Sequence, residues 1–198
     1  MLEEQLADGF FECHTAIIRE AHDRRGKNRD IIRVMFRDDH ILRMIEQATA
    51  AIARIIGLKD ARRYPQALAE IDQTLQRFWG LSSDTVGLMS ADALMALARR
   101  GERLDLGKLV VLTDLLQAEG DVYAAQDMTP WSADRYLKAL SLLLEIAFLS
   151  DETNWPELAP RIRALVDRLG STETPSETNG RLAYFLERVE QSPGAASA

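Results

Sequence analysis

Apolar residues recur at spacings of three and four along most of the chain, a pattern typical of amphipathic α-helices. Between residues 41 and 56 they form one continuous stripe, and further stripes follow the polar turns. No segment alternates apolar and polar residues for long enough to predict a β-strand. The pattern predicts an all-α fold of about eight helices and no sheet, with helices over residues 3–22, 30–56, 64–79, 91–100, 106–125, 131–150, 155–169 and 176–191.

Glycines and capping residues mark the ends of these predicted helices. Gly57 closes the apolar run of the long second helix, and we expect that helix to end there. Ser90 and Asp105 each precede an apolar run, where their side chains can cap the first free N–H groups of a helix. Pro65 suits a first-turn position, because its missing N–H would be unpaired there anyway. Gly120 falls within a helix and predicts a kink or a looser turn.

The chain contains two nearly identical segments, Arg-Tyr-Pro-Gln-Ala-Leu at residues 63–68 and Arg-Tyr-Leu-Lys-Ala-Leu at residues 135–140. Each is predicted to open an amphipathic helix. A small Ala at a helix crossing lets two helices approach closely, while Leu and Tyr fill the groove beside it. Tyr64 and Tyr136 lie 72 positions apart, close to two periods of a ~34-residue helical-hairpin repeat. The spacing predicts an irregular array of such hairpins.

Further segments extend this similarity: Asp-Asp-His-Ile-Leu-Arg-Met-Ile-Glu-Gln at residues 38–47, Gly-Leu-Ser at residues 80–82 and Glu-Gly-Asp-Val-Tyr at residues 119–123. Together with residues 64–75 they resemble a bacterial family of tetratricopeptide-like all-helical proteins of unknown function. The resemblance covers about residues 35–150. It implies an irregular helical-hairpin repeat, an α-α superhelix, and a bacterial origin. It implies no activity, because the family has none that could be carried over.

The chain has 198 residues, a length that predicts one domain, or one domain with an extension. We expect residues 31–191 to form a single helical-repeat domain, residues 1–30 an N-terminal helical extension and residues 192–198 a disordered tail. The extension carries an apolar face of four residues, Phe10, Phe11, Ile17 and Ile18. This face must be covered either by the chain itself or by a copy of it, and the second possibility predicts a homodimer through the N-terminal helix.

The net charge of −7 at pH 7 argues against broad affinity for nucleic acid. Residues 1–100 carry 15 basic and 15 acidic side chains, so the whole negative excess lies in the remainder. A basic stretch over residues 19–37 is either an arm for an acidic partner or a solvated helix face. Its interspersed acidic residues favour the second interpretation.

The single cysteine, Cys13, excludes an internal disulfide and fits a reducing compartment. No apolar run approaches the ~20 residues that span a bilayer. The acidic start over residues 1–5 lacks the basic and apolar regions of a secretory signal. We therefore expect a cytoplasmic protein that binds neither a membrane nor nucleic acid.

Candidate catalytic and metal-binding residues are few. His40 beside Asp38 and Asp39 is the best candidate for a metal site, but ligands on one helix need spacings of three or four to share a face. Cys13 and His14 are sequence neighbours that diverge on a helix for the same reason. The sequence patterns of serine hydrolases, nucleotide hydrolases and zinc proteases are absent. We expect no enzymatic activity, no metal and no cofactor.

The predicted function is therefore binding. Stacked helix pairs curve and leave a concave surface, so we expect a scaffold that holds a peptide or protein partner in a helical-repeat groove. Tyr64, Tyr123 and Tyr136 are the candidate binding residues, with core packing as the alternative. The tryptophans at positions 79, 131 and 155 are expected to plug the spaces between helix layers rather than line a groove. The alternative function is a small-apolar-ligand binding or sensor module with a cavity between helices.

Overall fold

A computed structural model of the chain describes residues 31–100 and 103–191, with side chains from residue 43 to 99 and from 104 to 191. Eight α-helices lie in these ranges: α1 (Ile31–Asp60), α2 (Tyr64–Trp79), α3 (Ser83–Leu88), α4 (Ala91–Leu97), α5 (Leu106–Ala124), α6 (Thr129–Leu149), α7 (Trp155–Leu169) and α8 (Ser176–Gln191). The all-α fold class is confirmed. A 3₁₀ turn (Glu152–Asn154) precedes α7, and two two-residue strands, β1 (Arg99–Arg100) and β2 (Arg103–Leu104), pair in an antiparallel hairpin where the sequence predicted the end of a helix.

The capping residues begin the helices as their positions in the sequence predict. Ser90 accepts a hydrogen bond from the N–H of Ala93, 3.2 Å away, and so caps α4. Asp105 accepts one from the N–H of Lys108 at 3.1 Å and caps α5. Pro65 lies in the first turn of α2. These helix starts are therefore fixed by the capping side chains and the proline, independently of how the helices pack against one another.

Three helical hairpins follow one another along the chain. α1 and α2 form the first hairpin, and a side-chain hydrogen bond of 3.0 Å from Arg54 Nε to Glu70 Oε1 joins them near their shared turn. α5 and α6 form the second hairpin and share the most extensive helix–helix contact in the part of the chain that the structure describes. α7 and α8 form the third. α5 packs against α1 and α2, and α6 packs against α7 and α8, so the second hairpin joins the other two.

α5 is the central helix and is buried around its whole circumference. Its sequence predicts a single apolar stripe, but Val110, Val111 and Leu115 are buried as completely as Leu109 and Leu112. A helix that is apolar on all sides is stable in water only where neighbours cover every face. Here α1 and α2 cover one side and α6 another. α5 therefore offers little open surface of its own.

Gly57 does not end α1, contrary to expectation. The helix continues to Asp60, and the left-handed backbone that follows it is adopted by Arg62 at φ 57°. Gly120 likewise lies within a continuous α5. The neighbourhood of Gly120 explains its small size, because a Cβ there would lie 2.5 Å from Cε1 of Tyr136. This glycine provides space for a ring on α6 rather than flexibility in α5.

Alanine substitution should distinguish Gly120, which makes room for the Tyr136 ring, from Gly57, which has no neighbour to accommodate. Gly120→Ala should lower the free energy of unfolding by roughly 1–2 kcal/mol, because overpacking against Tyr136 outweighs the ~1 kcal/mol gain in helix propensity. Gly57→Ala should raise it by about 0.5–1 kcal/mol, because nothing lies within 4 Å of the added Cβ. Urea denaturation of both variants measures the difference, and equal shifts in the two would contradict this role for Gly120.

Several expectations fall on residues that the structure leaves undescribed. The helix predicted over residues 3–22, with its dimer-forming apolar face, lies outside the described residues, as do Cys13, His14 and the predicted tail. His40 and its acidic neighbours lie in α1, but their side chains are outside the described ranges. Across the ranges that are described, no helix combines the length and apolar character needed to cross a membrane.

Candidate functional site

The most deeply buried charges for which the structure gives positions are Glu119 on α5 and Arg135 on α6. Nε of Arg135 donates to Oε2 of Glu119 at 2.8 Å, and the two side chains are 3% and 0% exposed. Burial alone would lower the pKa of Arg135, but the hydrogen bond and charge of Glu119 outweigh it and raise that pKa above its ordinary value. The guanidinium of Arg135 therefore remains charged, and its hydrogen bond to Glu119 joins the two helices of the central hairpin.

Two hydroxyl groups complete the surroundings of Glu119. Ser83 Oγ donates to Oε1 of Glu119 at 2.5 Å. Burial and the nearby Glu119 carboxylate raise the pKa of the Tyr123 hydroxyl, which lies one helical turn further along α5. Because its two oxygens accept from Ser83 and Arg135, the buried Glu119 carboxylate joins α3, α5 and α6.

The other side of Arg135 is closed by α3 and by its own helix. Its NH1 nitrogen donates to Asp134 at 2.5 Å, and its guanidinium lies where a Cβ on Gly87 would stand. Lys138, one turn along α6, donates to both Asp134 oxygens at 2.7 and 2.8 Å and also to the carbonyl of Gly87. The absence of a side chain at Gly87 lets α3 approach α6 closely. Leu88, the next residue, is 90% exposed.

Three side chains at the turn between α5 and α6 are here called the Trp131 surface: the exposed Met128 and Trp131, and the partly buried Tyr123. Trp131 is 54% exposed. Its ring lies 6.1 Å from that of Tyr123, and the Arg135 guanidinium carbon lies 5.9 Å from the centre of the Tyr123 ring. Tyr123 therefore lies between Trp131 and the guanidinium of the buried Glu119–Arg135 pair, and the pair helps to fix the position of the Tyr123 ring.

The three tyrosines expected to bind a partner occupy different environments. Tyr136 is buried, and its hydroxyl donates to Asp121 Oδ1 at 2.7 Å. Tyr64, at the start of α2, is partly buried against the core. Tyr123 reaches the surface beside Trp131. The structure therefore associates Tyr123 with exposed apolar surface, whereas Tyr136 serves packing, the alternative weighed for it.

The tryptophans also differ from one another. Trp155 is 3% exposed and its Nε1 donates to the carbonyl of Ala147 at 2.8 Å, so it plugs the space beside α6 as expected. Trp79 packs against the core. Trp131 lies on the surface instead, contrary to expectation, because the first turn of α6 extends beyond the layers that cover the rest of the helix.

A second set of polar contacts holds α7 against α5. Arg161 pairs with Asp114, and Arg168 Nε donates to Asp121 Oδ1 at 2.9 Å. Burial and the Asp121 carboxylate raise the pKa of Tyr136 above its ordinary value. These contacts fix the position of the third hairpin. Among the described residues, no three His, Cys, Asp or Glu side chains come together to hold a metal ion.

Comparisons of this chain with protein-family profiles, with curated proteins and with solved structures find no match. The candidate site is therefore defined by its own geometry.

The Tyr123 hydroxyl gives the site a signature at high pH. Burial and the Glu119 carboxylate raise the pKa of Tyr123 from 10.0 to about 12. Because this folded pKa exceeds the unfolded one, the stability that the neutral phenol contributes is complete below about pH 10 and is lost as pH rises through about 12. Urea denaturation at increasing pH should therefore show the stability difference between wild type and Tyr123→Phe shrinking above pH 10. A difference that stays constant up to pH 12 would contradict the assigned environment.

Proposed function

We propose that this chain is a non-catalytic binding protein, a scaffold that engages a peptide or protein partner through the Trp131 surface. The observation that carries the proposal is the exposure of Trp131, at 54%, on the most firmly packed hairpin. Soluble proteins seldom leave large aromatic side chains uncovered in clusters without a binding role. Tryptophan is also the residue type most enriched where binding energy concentrates in protein interfaces.

The rigidity of the Trp131 surface supports this proposal. The ring of Tyr123 lies between the Arg135 guanidinium on one side and the Trp131 ring on the other. The backbone beside them is fixed as well, since the N–H of Met128 donates to the carbonyl of Tyr123 at 3.0 Å. A partner that docks on side chains already fixed in this way loses less conformational entropy on binding.

Outside the Trp131 surface, three large apolar side chains of the described residues are exposed: Leu88, Leu149 and Tyr184. Leu149 and Tyr184, 53% and 48% exposed, border an aromatic cluster in which Tyr184 stacks on Phe148 and meets Trp155 edge-on. Contact with rings of its own chain does not distinguish Tyr184 from Trp131, so Leu149 and Tyr184 serve as the comparison surface in the tests of binding.

The helical-repeat arrangement, the bacterial origin and the cytoplasmic location are part of the same proposal. A tetratricopeptide-like arrangement is supported by three successive hairpins that pack on their neighbours in sequence order. Bacterial origin is supported by the resemblance of the sequence segments, and a cytoplasmic location by the single cysteine. Because α5 is covered on every side, the docking surface lies at the α5–α6 turn rather than in a groove lined by first helices. No observation on the described residues favours the alternative of a small apolar ligand.

Affinity capture with matched variants tests the function. Wild type, Trp131→Ala and Leu149→Ala are immobilised and exposed to an extract of the source organism, and captured proteins are identified by mass spectrometry. We expect a specific protein that wild type and Leu149→Ala retain and that Trp131→Ala loses by about tenfold or more. A partner retained equally by all three, or lost only with Leu149→Ala, would reject the Trp131 surface as the binding site.

A stability control accompanies the capture. Trp131→Ala removes a half-exposed side chain, so it should change the free energy of unfolding by less than about 1 kcal/mol. Loss of binding with this stability retained then reports on the surface itself rather than on unfolding.

A further inference from the structure

The accessible charge around the Trp131 surface is negative. Asp127 lies in the turn beside Met128 and is exposed, and Asp84 on α3 is exposed and close enough for its charge to act on Tyr123. Asp134 lies one turn along α6 from Trp131, with its side chain 43% exposed. Because Asp134 already pairs with Arg135 and Lys138, the carboxylates that an incoming partner meets first are those of Asp84 and Asp127.

The cations of the same region are directed inward. Arg135 is 3% exposed and bound to Glu119. Lys138 is 12% exposed and held by Asp134 and the carbonyl of Gly87. Neither guanidinium nor ammonium is free to attract an anion. Counted together, the site has four carboxylates, Asp84, Glu119, Asp127 and Asp134, and two cations, so its net charge is negative.

We propose that the partner segment which binds the Trp131 surface is cationic: a peptide or helix that presents Lys or Arg side chains beside an apolar anchor. The aliphatic stem and charged head of such a residue suit an exposed indole face bordered by carboxylates. Complementary charge would also speed the encounter and exclude acidic competitors. The inference rests on the proposed function and names the class of partner for the same surface.

Direct titration with defined peptides tests this chemistry. The probes are a dye-labelled synthetic peptide of Lys, Leu and Ala with blocked ends, and its counterpart in which every Lys is replaced by Glu. Fluorescence anisotropy with the full chain should show the Lys peptide binding about tenfold or more tightly than the Glu peptide, and less tightly as salt rises. Trp131→Ala should weaken the Lys peptide about tenfold.

Two double variants test whether binding of the Lys peptide depends on the carboxylates beside Trp131 or on the charge of the whole chain. Asp84→Asn/Asp127→Asn should weaken the Lys peptide several-fold and reduce its salt dependence, and Asn is well tolerated at the left-handed backbone of Asp127, φ 58°. Glu173→Gln/Glu190→Gln makes the same charge change at exposed positions elsewhere and should leave binding unchanged. Equal weakening by both pairs would show attraction to the overall charge of −7 and would overturn the proposal.

The other possible results of the peptide titration also support or overturn the proposal of a cationic partner. Equal binding of both peptides, or undiminished binding of the Lys peptide by Trp131→Ala, overturns the cationic partner. If Arg24→Gln/Arg25→Gln in the full chain tightens the Lys peptide, the chain's own basic stretch is the occupant and an external partner is rejected. If the capture experiment succeeds with Trp131 dependence while the two peptides bind equally, only the chemistry of the partner is wrong and the binding function stands.

Discussion

Arg135→Met is expected to lower the free energy of unfolding by about 3–5 kcal/mol, since it leaves the carboxylate of Glu119 buried without its counter-charge. Glu119 is wholly inaccessible to solvent, and the Ser83 hydroxyl that donates to it cannot neutralise a full charge. The added change Glu119→Gln removes that charge and keeps an oxygen to accept from Ser83. The double variant Glu119→Gln/Arg135→Met should therefore recover much of the loss, as measured by urea denaturation.

An exposed ion pair provides the matched control. Arg54 and Glu70 also pair between two helices, but Arg54 is 52% exposed, and such surface pairs contribute at most about 1 kcal/mol. Arg54→Met should therefore change stability far less than Arg135→Met. Similar losses in the two variants, or a double variant no more stable than Arg135→Met, would contradict the role assigned to the buried pair.

Leu140→Ala is expected to lower the free energy of unfolding by about 2.7–5 kcal/mol, because it opens a cavity at a fully buried position in the central hairpin. Leu68 occupies the same place in the repeated sequence segment, yet it is only partly buried. Leu68→Ala should therefore lower stability by on the order of 1 kcal/mol. Urea denaturation of the two variants under identical conditions gives the comparison.

This pair of variants also asks whether a repeat in sequence is a repeat in structure. The first segment does begin a helix, since α2 starts at Tyr64. The second lies about two turns inside α6, which starts at Thr129. Position along the helix, rather than the motif, then sets the burial of the leucine. Equal losses from Leu68→Ala and Leu140→Ala would instead indicate that both copies pack alike.

The helices could be predicted from the sequence because their signals are local. Spacing of apolar residues, and caps such as Ser90 and Asp105, act within one or two turns and were read correctly. The prediction that α1 ends at Gly57 was wrong. The helix continues to Asp60, and the left-handed conformation that follows it is adopted by Arg62 instead of by the glycine. The prediction of a kink at Gly120 was wrong because this position is small to make room for the Tyr136 ring on α6. The sequence around Gly120 does not show that contact between helices.

The candidate site could not be predicted for the same reason. Glu119 and Arg135 are 16 positions apart and lie on different helices, and Ser83 joins them from a third. Nothing in the sequence around any one of them predicts that meeting. Trp131 was placed correctly at a helix boundary, but whether a boundary tryptophan is covered depends on where the neighbouring layers end. Sequence analysis therefore gave the fold class, whereas the docking surface required the packed structure.

The site links stability to the proposed function. The buried Glu119–Arg135 pair positions Tyr123, and Tyr123 supports Trp131. Loss of the pair should therefore disturb the docking surface even at temperatures where the helices remain folded. Under the proposed function, the buried charges would therefore act in binding as well as in stability, which apolar residues of similar volume could have provided.

Hydroxyl-radical footprinting of the free chain and of its complex with the captured partner, read by mass spectrometry, tests the central claim most directly. Trp131 and Met128 should be oxidised readily in the free chain, and Trp155, 3% exposed, should be protected. In the complex, Trp131 and Met128 should become protected while Leu149 and Tyr184 react as before. A Trp131 that resists oxidation in the free chain, or one that stays reactive in the complex while Leu149 and Tyr184 become protected, would contradict the account.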